Sequence, residues 1–115
     1  KKTKIKSIPT KILIKLKHAP KIIDMIKKIQ QDVFLVGFKA EANIHRTKLI
    51  IKAKKKLKEC NADLMVANDV GLRRYKENPE YNNVIIVNSN KIIQSGWKNK
   101  LEISRLIRKE IESRV

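Results

Sequence analysis

The chain has 115 residues, 28 of them Lys or Arg and 11 Asp or Glu, for a formal charge of +17; 42% are hydrophobic and only 4% aromatic. A single cysteine, Cys60, excludes an intrachain disulfide framework and a cysteine-based zinc site, and no apolar stretch approaches the roughly 20 residues of a membrane-spanning helix. Such an isoleucine-rich composition supports one small aliphatic core and a soluble protein of the reducing cytoplasm, while the excess charge attracts phosphates without specifying their carrier.

Residues 1–10 are polar and basic, and Pro9 disfavours a helix, so they read as a loop. From Lys11 to Lys17 apolar and basic residues alternate, placing Ile12, Ile14 and Leu16 on one face of a strand. Pro20 suits the first turn of a helix, which Ile22, Ile23, Ile26 and Ile29 continue at three- and four-residue spacing towards Gln31. Val33 to Phe38 is a continuous apolar run, the pattern of a strand buried on both faces, with Gly37 permitting close backbone approach. After a polar loop, Leu49, Ile50, Ala53 and Leu57 line a lysine-studded helix ending near Cys60, and Asp63 to Ala67 repeats the buried-strand pattern.

Right-handed crossovers make these three strands parallel, with their carboxyl ends on one edge. Gly71 to Asn83 carries Pro79 and no periodicity, so it reads as a loop. Val84 to Val87 and Lys91 to Gln94 flank Asn88-Ser89-Asn90 as a hairpin on the sheet edge. Asn99 and Glu102 form a capping box ahead of a last helix whose core face is Ile103, Leu106, Ile107 and Ile111. The expected fold is α/β, a Rossmann-like three-layer arrangement with a mainly parallel sheet and a carboxyl-terminal hairpin.

Open α/β sheets bind ligands beyond the carboxyl ends of their strands, which directs attention to Gly37–Glu41 and Ala67–Val70. Asn68 and Asp69 could hold a ribose, a metal or a base there, or simply form a turn. The run Lys52, Lys54, Lys55, Lys56 and Lys58 could grip a triphosphate, although a solvated helix face is the plainer reading. Lys52 and Lys56 are one turn apart while Lys54 and Lys55 point elsewhere, so only one or two serve one ligand. There is no Gly-rich dinucleotide fingerprint, phosphate loop or His-Glu-x-x-His. His18 and His45 read as structural or solvent-facing, and Trp97 as a packing residue. A basic nucleic-acid-binding module is the alternative, but aromatics for base stacking are few and the lysines are spread over every element.

Val36-Gly37-Phe38-Lys39-Ala40-Glu41, a helix ending in Lys56-Leu57, and then Asp63-Leu64-Met65-Val66-Ala67-Asn68-Asp69-Val70 together resemble phosphopantothenoylcysteine synthetase, a family commonly fused to a flavin-dependent decarboxylase. Lys4-Ile5-Lys6, Pro20-Lys21-Ile22-Ile23 and Glu80-Tyr81-Asn82-Asn83-Val84 extend the resemblance over nearly the whole chain, residues 1–115 standing for the carboxyl-terminal half of the ligase domain.

The resemblance implies a CTP-dependent, Mg²⁺-assisted ligase that activates the carboxylate of 4'-phosphopantothenate as an acyl-cytidylate and couples it to cysteine. It implies a homodimer or higher oligomer, and FMN only where a decarboxylase domain lies upstream. It assigns Lys4 to a mobile catalytic loop closing over the reacting phosphate, and Phe38, Lys56 and the Pro20, Lys21, Ile22, Ile23 turn to the nucleotide. Asn68 and Asp69 take a supporting part. Cys60 stands where relatives often carry a second triphosphate-binding lysine, and the segment through Arg73, Arg74 and Tyr75 lacks the family's usual Gly-Phe pair. Phe38, Asn68 and the Lys56 helix are expected at one rim, and the fragment alone is expected to be inactive.

Overall fold

A computed structural model describes residues 11–15 and 20–113. Their elements are β1 (Lys11–Lys15), α1 (Pro20–Ile29), β2 (Phe34–Glu41), α2 (Arg46–Glu59), β3 (Leu64–Asp69), α3 (Arg73–Glu77), β4 (Tyr81–Val87), β5 (Ile92–Asn99) and α4 (Lys100–Glu112). The expectations for Lys4 and His18 lie outside the described residues. No helix among the described residues is long and apolar enough to cross a membrane.

Strands β2 to β5 form a mixed sheet flanked by helices, and β1 pairs along the outer edge of β2, so the strands stand in chain order. The β1–β2 and β2–β3 pairs are parallel, as the two crossovers require, but β3–β4 and β4–β5 are antiparallel. A mainly parallel sheet is therefore corrected to a mixed one. A parallel return needs a dozen or more residues carrying a helix that packs on the sheet, whereas the link from Val70 to Glu80 contains only the short α3, with no buried residue. The next turn is tighter still: Asn88 Oδ1 accepts from the backbone N–H groups of Asn90 (2.7 Å) and Lys91 (2.8 Å).

Period-two alternation divides the core between the faces. Leu35, Met65, Ala67, Ile85 and Val87 pack beneath Ile23 of α1 and Leu49, Ala53 and Leu57 of α2. Phe34, Val36, Leu64, Val66, Val84 and Ile86 face the other way, under Ile103, Leu106, Ile107 and Ile111 of α4. Burying each such aliphatic side chain contributes about 1.5–3 kcal/mol. A Cβ on Gly37 would lie 3.0 Å from Ile23 Cδ1 and 2.8 Å from Met65 Cε, so the missing side chain is what lets α1 settle onto β2.

The capping box at α4 is present: Asn99 Oδ1 accepts from Glu102 N (2.8 Å) and Glu102 Oε1 from Asn99 N (3.4 Å). The hairpin extends further than the apolar run suggests, and a bulge at Ser95 and Gly96 opposes Val84. Gly96 takes φ +70°, the left-handed region glycine tolerates, and Ser95 Oγ accepts from Val84 N (2.8 Å) where the ladder is interrupted.

Candidate functional site

β2 and β3 run side by side with Ala40 opposite Asn68 and Glu41 opposite Asp69, so their carboxyl ends share one rim. Asp69 is 7% exposed and clamps that rim. Its Oδ1 accepts from Asn43 N (2.9 Å) and Gly71 N (2.8 Å), and its Oδ2 from Ile44 N (3.0 Å). Burial alone would raise this carboxyl's pKa, but the N–H groups of Ile44, Gly71 and Asn43, with the Lys76 charge, hold it below its ordinary value. Asn68, two residues beyond Val66 on the α4 side, donates from Nδ2 to Asn82 Oδ1 (3.3 Å). Phe38 lies on the same side, half-buried at the edge of the α4-side core.

On the α2 side of the rim, Lys39 pairs with Glu41 (2.9 Å), and Lys52 reaches the same carboxylate from α2 (3.5 Å). The Lys39 ammonium, with Lys52 adding to it, holds the Glu41 carboxyl below its usual range against the opposing effect of burial. Arg46 reaches across β4 and β5 from the start of α2.

Lys56 does not join this rim. Helix α2 starts at the rim with Arg46 and runs back along the sheet, so its last turns reach the opposite edge, where β2 and β3 begin. The expectation that Phe38, Asn68 and Lys56 converge is corrected on that ground. Lys56, its side chain 15% exposed, pairs with Asp24 of α1 (3.1 Å) and Glu59 (3.8 Å). Cys60 is buried in the same neighbourhood, its Sγ donating to Lys56 O (3.0 Å), and burial pushes its thiol pKa up.

Between α1 and this end of α2 lies a cleft of about 380 Å³, walled by Asp24, Lys27, Lys28, Glu59 and Cys60. Lys27 there holds Asp63 (2.8 Å), which in turn accepts from Leu35 N (2.8 Å). In the α1 turn, Ile23 is fully buried as core and Ile22 is 56% exposed, so Ile23 can offer a ligand only its backbone. The structure thus groups the expected residues in two places: Phe38, Asn68 and Asp69 at the rim, and Ile23, Lys56 and Cys60 between α1 and α2.

His45 is exposed at the start of α2, its side chain making no cap hydrogen bond. Trp97 is half-buried outside both core clusters, with the Arg74 guanidinium over its ring. Sequence reasoning passed over Arg46, and it named Arg74, Asn82 and Asn83 only within family segments, with no role of their own. The one available signal was the Asn82-Asn83 pair directly ahead of an apolar strand. Among the described residues no three His, Cys, Asp or Glu side chains come together as a metal site. At the rim, Glu41 is paired with lysines and Asp69 with backbone N–H groups. These residues do not fit a protein-built Mg²⁺ cage.

The described residues thus make a mixed α/β sheet flanked by helices, with an ordered polar rim at the carboxyl ends of β2 and β3. The chain belongs to the DNA/pantothenate metabolism flavoprotein C-terminal domain family, whose profile matches residues 1–115, and it corresponds to the phosphopantothenoylcysteine synthetase part of bifunctional coenzyme A biosynthesis proteins. It is 37% identical over 101 residues to the coenzyme A biosynthesis bifunctional protein CoaBC of Thermococcus kodakarensis, covering 88% of this chain and 24% of that protein. With its counterpart from Methanocaldococcus jannaschii it shares 30% identity over 98 residues, covering 85% and 24%.

Among solved structures, the DNA/pantothenate metabolism flavoprotein of Streptococcus pneumoniae superposes with a TM-score of 0.69 at 27% identity, covering 80% of this chain and 39% of that one. The C-terminal domain of a CoaBC protein gives 0.65 at 28%, covering 81% and 43%. The chain therefore spans about a quarter of the length of these curated relatives.

Proposed function

We propose that this chain is part of a phosphopantothenate-cysteine ligase that uses CTP to activate the phosphopantothenate carboxylate as an acyl-cytidylate, which the cysteine amine then captures. One observation carries the reading. The two most specific family segments, Gly37-Phe38-x-x-Glu41 and Asp63-Leu64-x-x-Ala67-Asn68-Asp69-Val70, are far apart in sequence yet form neighbouring parallel strands with their motif ends at one rim.

In this reading Phe38 lines the nucleotide site and Asn68 orders it through Asn82, while Asp69 keeps both loops of the rim in register. Lys4, on the amino-terminal segment, closes over the reacting phosphate. In the Pro20 to Ile23 turn of α1 the donors are the backbone N–H groups of Lys21, Ile22 and Ile23, and Lys56 meets the triphosphate from the α1–α2 side, where it must share or leave Asp24. Charge accumulating on the departing pyrophosphate is what these cations offset.

The test uses the full-length protein. CTP with Mg²⁺ should raise its melting temperature, and adding phosphopantothenate should release pyrophosphate. Absence of both effects would sink the ligase reading.

A further inference from the structure

We propose that Arg46 and Arg74 form a phosphoryl-binding subsite on the α2 side of the rim. The identity of its ligand rests on the ligase reading; the binding of phosphate does not. Arg46 opens α2 and lies across the hairpin, its Nε donating to Gln94 Oε1 (2.5 Å) and its Nη2 to Asn83 Oδ1 (3.0 Å). Arg74, in α3, places its guanidinium carbon 4.7 Å from the centre of the Trp97 ring. Asn83 and Trp97 are partners in the β4–β5 ladder, so their side chains leave the same face of the sheet, and the two guanidiniums flank that one rung.

The anchors of both guanidiniums are neutral. All 11 acidic side chains of the chain fall within the described residues, and none lies within 4.0 Å of either arginine. Acid is at hand in α3, but Glu77 pairs with Arg73 (2.9 Å) instead. Amide oxygens and an indole face hold a guanidinium in position without cancelling its charge, leaving donors and field for an incoming anion. A planar fork of N–H groups matches phosphate oxygens two at a time.

A tether from α2 to the hairpin accounts for Arg46 alone. Arg74 is different: it is exposed and meets only the face of Trp97, so its N–H edge is left to solvent or to a ligand. Asn82 and Asn83 join the two sides of the rim: Asn82 turns to Asn68 on the α4 side and Asn83 to Arg46 on the α2 side. A phosphoryl group at Arg46 and Arg74 therefore lies across β4 from Asn68.

Two substrates carry that chemistry, the triphosphate of the nucleotide and the phosphate monoester of the acid. Calorimetric titration of the complete protein with pyrophosphate, CTP, phosphopantothenate and pantothenate separates them. Arg74→Gln and Arg46→Lys should each weaken pyrophosphate and one of the two phosphorylated substrates by about tenfold or more, and leave pantothenate unchanged. The substrate that loses affinity is the occupant. Wild-type affinity for every phosphorylated probe in both variants, with unchanged melting temperatures, overturns the subsite. Weakened pyrophosphate binding in a protein that releases no pyrophosphate from CTP upholds the subsite and removes the ligase reading instead.

Discussion

Replacing Asp69 by Asn changes one oxygen into an NH₂ group at a position where three backbone N–H groups converge. The amide oxygen can keep the two bonds that Oδ1 accepts, from Asn43 and Gly71, but the NH₂ then faces the Ile44 N–H, donor against donor. A hydrogen bond to a charged acceptor contributes about 1.5–3 kcal/mol. Losing one, and weakening two by removal of the charge, should cost about 2–3 kcal/mol, a large part of a small domain's stability. The effect is local, so hydrogen exchange in the complete protein reads it: the Asn43, Ile44 and Gly71 amides should lose protection by about thirtyfold or more.

The loss should also depend on pH. The folded carboxyl titrates below its unfolded value, so its contribution is fully present above about pH 4 and disappears as the pH falls through the folded pKa. Wild type and variant should therefore converge in acid. Protection of the three amides within a factor of about three of wild type at pH 7 would refute the clamp.

Asn99→Ala removes one half of the α4 capping box and should lower stability by about 1 kcal/mol, seen as a lower melting temperature; an unchanged melt would mean the cap contributes nothing. Cys60, buried with a raised thiol pKa, should react with iodoacetamide at pH 8 far more slowly in the native protein than in urea, and equal rates would contradict its burial.

Several elements were legible because periodicity and chemistry agreed. Leu49, Ala53 and Leu57 are the buried face of α2, and Ile103, Leu106, Ile107 and Ile111 form the core side of α4, as their spacing implied. Val33 to Val36 and Leu64 to Ala67 are buried on both faces, as continuous apolar runs should be. Helix α3 was not legible: it buries nothing, so no apolar stripe marks it, and Arg73 and Glu77 hold it by a surface ion pair.

Strand β4 starts at Tyr81 rather than Val84 because Asn82 and Asn83, poor strand formers on their own, are carried by pairing with Lys98 and Trp97. The rim itself was half visible. Strand ends located Asn68 and Asp69, but that Asp69 would bind Asn43 and Ile44 some 25 residues back depends on the register of β2 against β3, which the expected parallel order leaves open. Lys56 was misplaced although the topology already spoke against the rim: a crossover helix starts at the carboxyl ends of parallel strands and finishes where the next strand begins, so its last turns lead away from that edge.

Gly37 gives this arrangement a consequence for how the protein can vary. The height of α1 above the sheet is set by a vacancy one methyl group wide, filled by the tips of Ile23 and Met65. A side chain there would act as a wedge: lifting α1 would carry Asp24 with it, loosen its hold on Lys56 and widen the lysine-walled cleft behind. Natural variation at this position should therefore be read as tuning the spacing between helix and sheet, with the ammonium of a residue 19 positions away as its indicator.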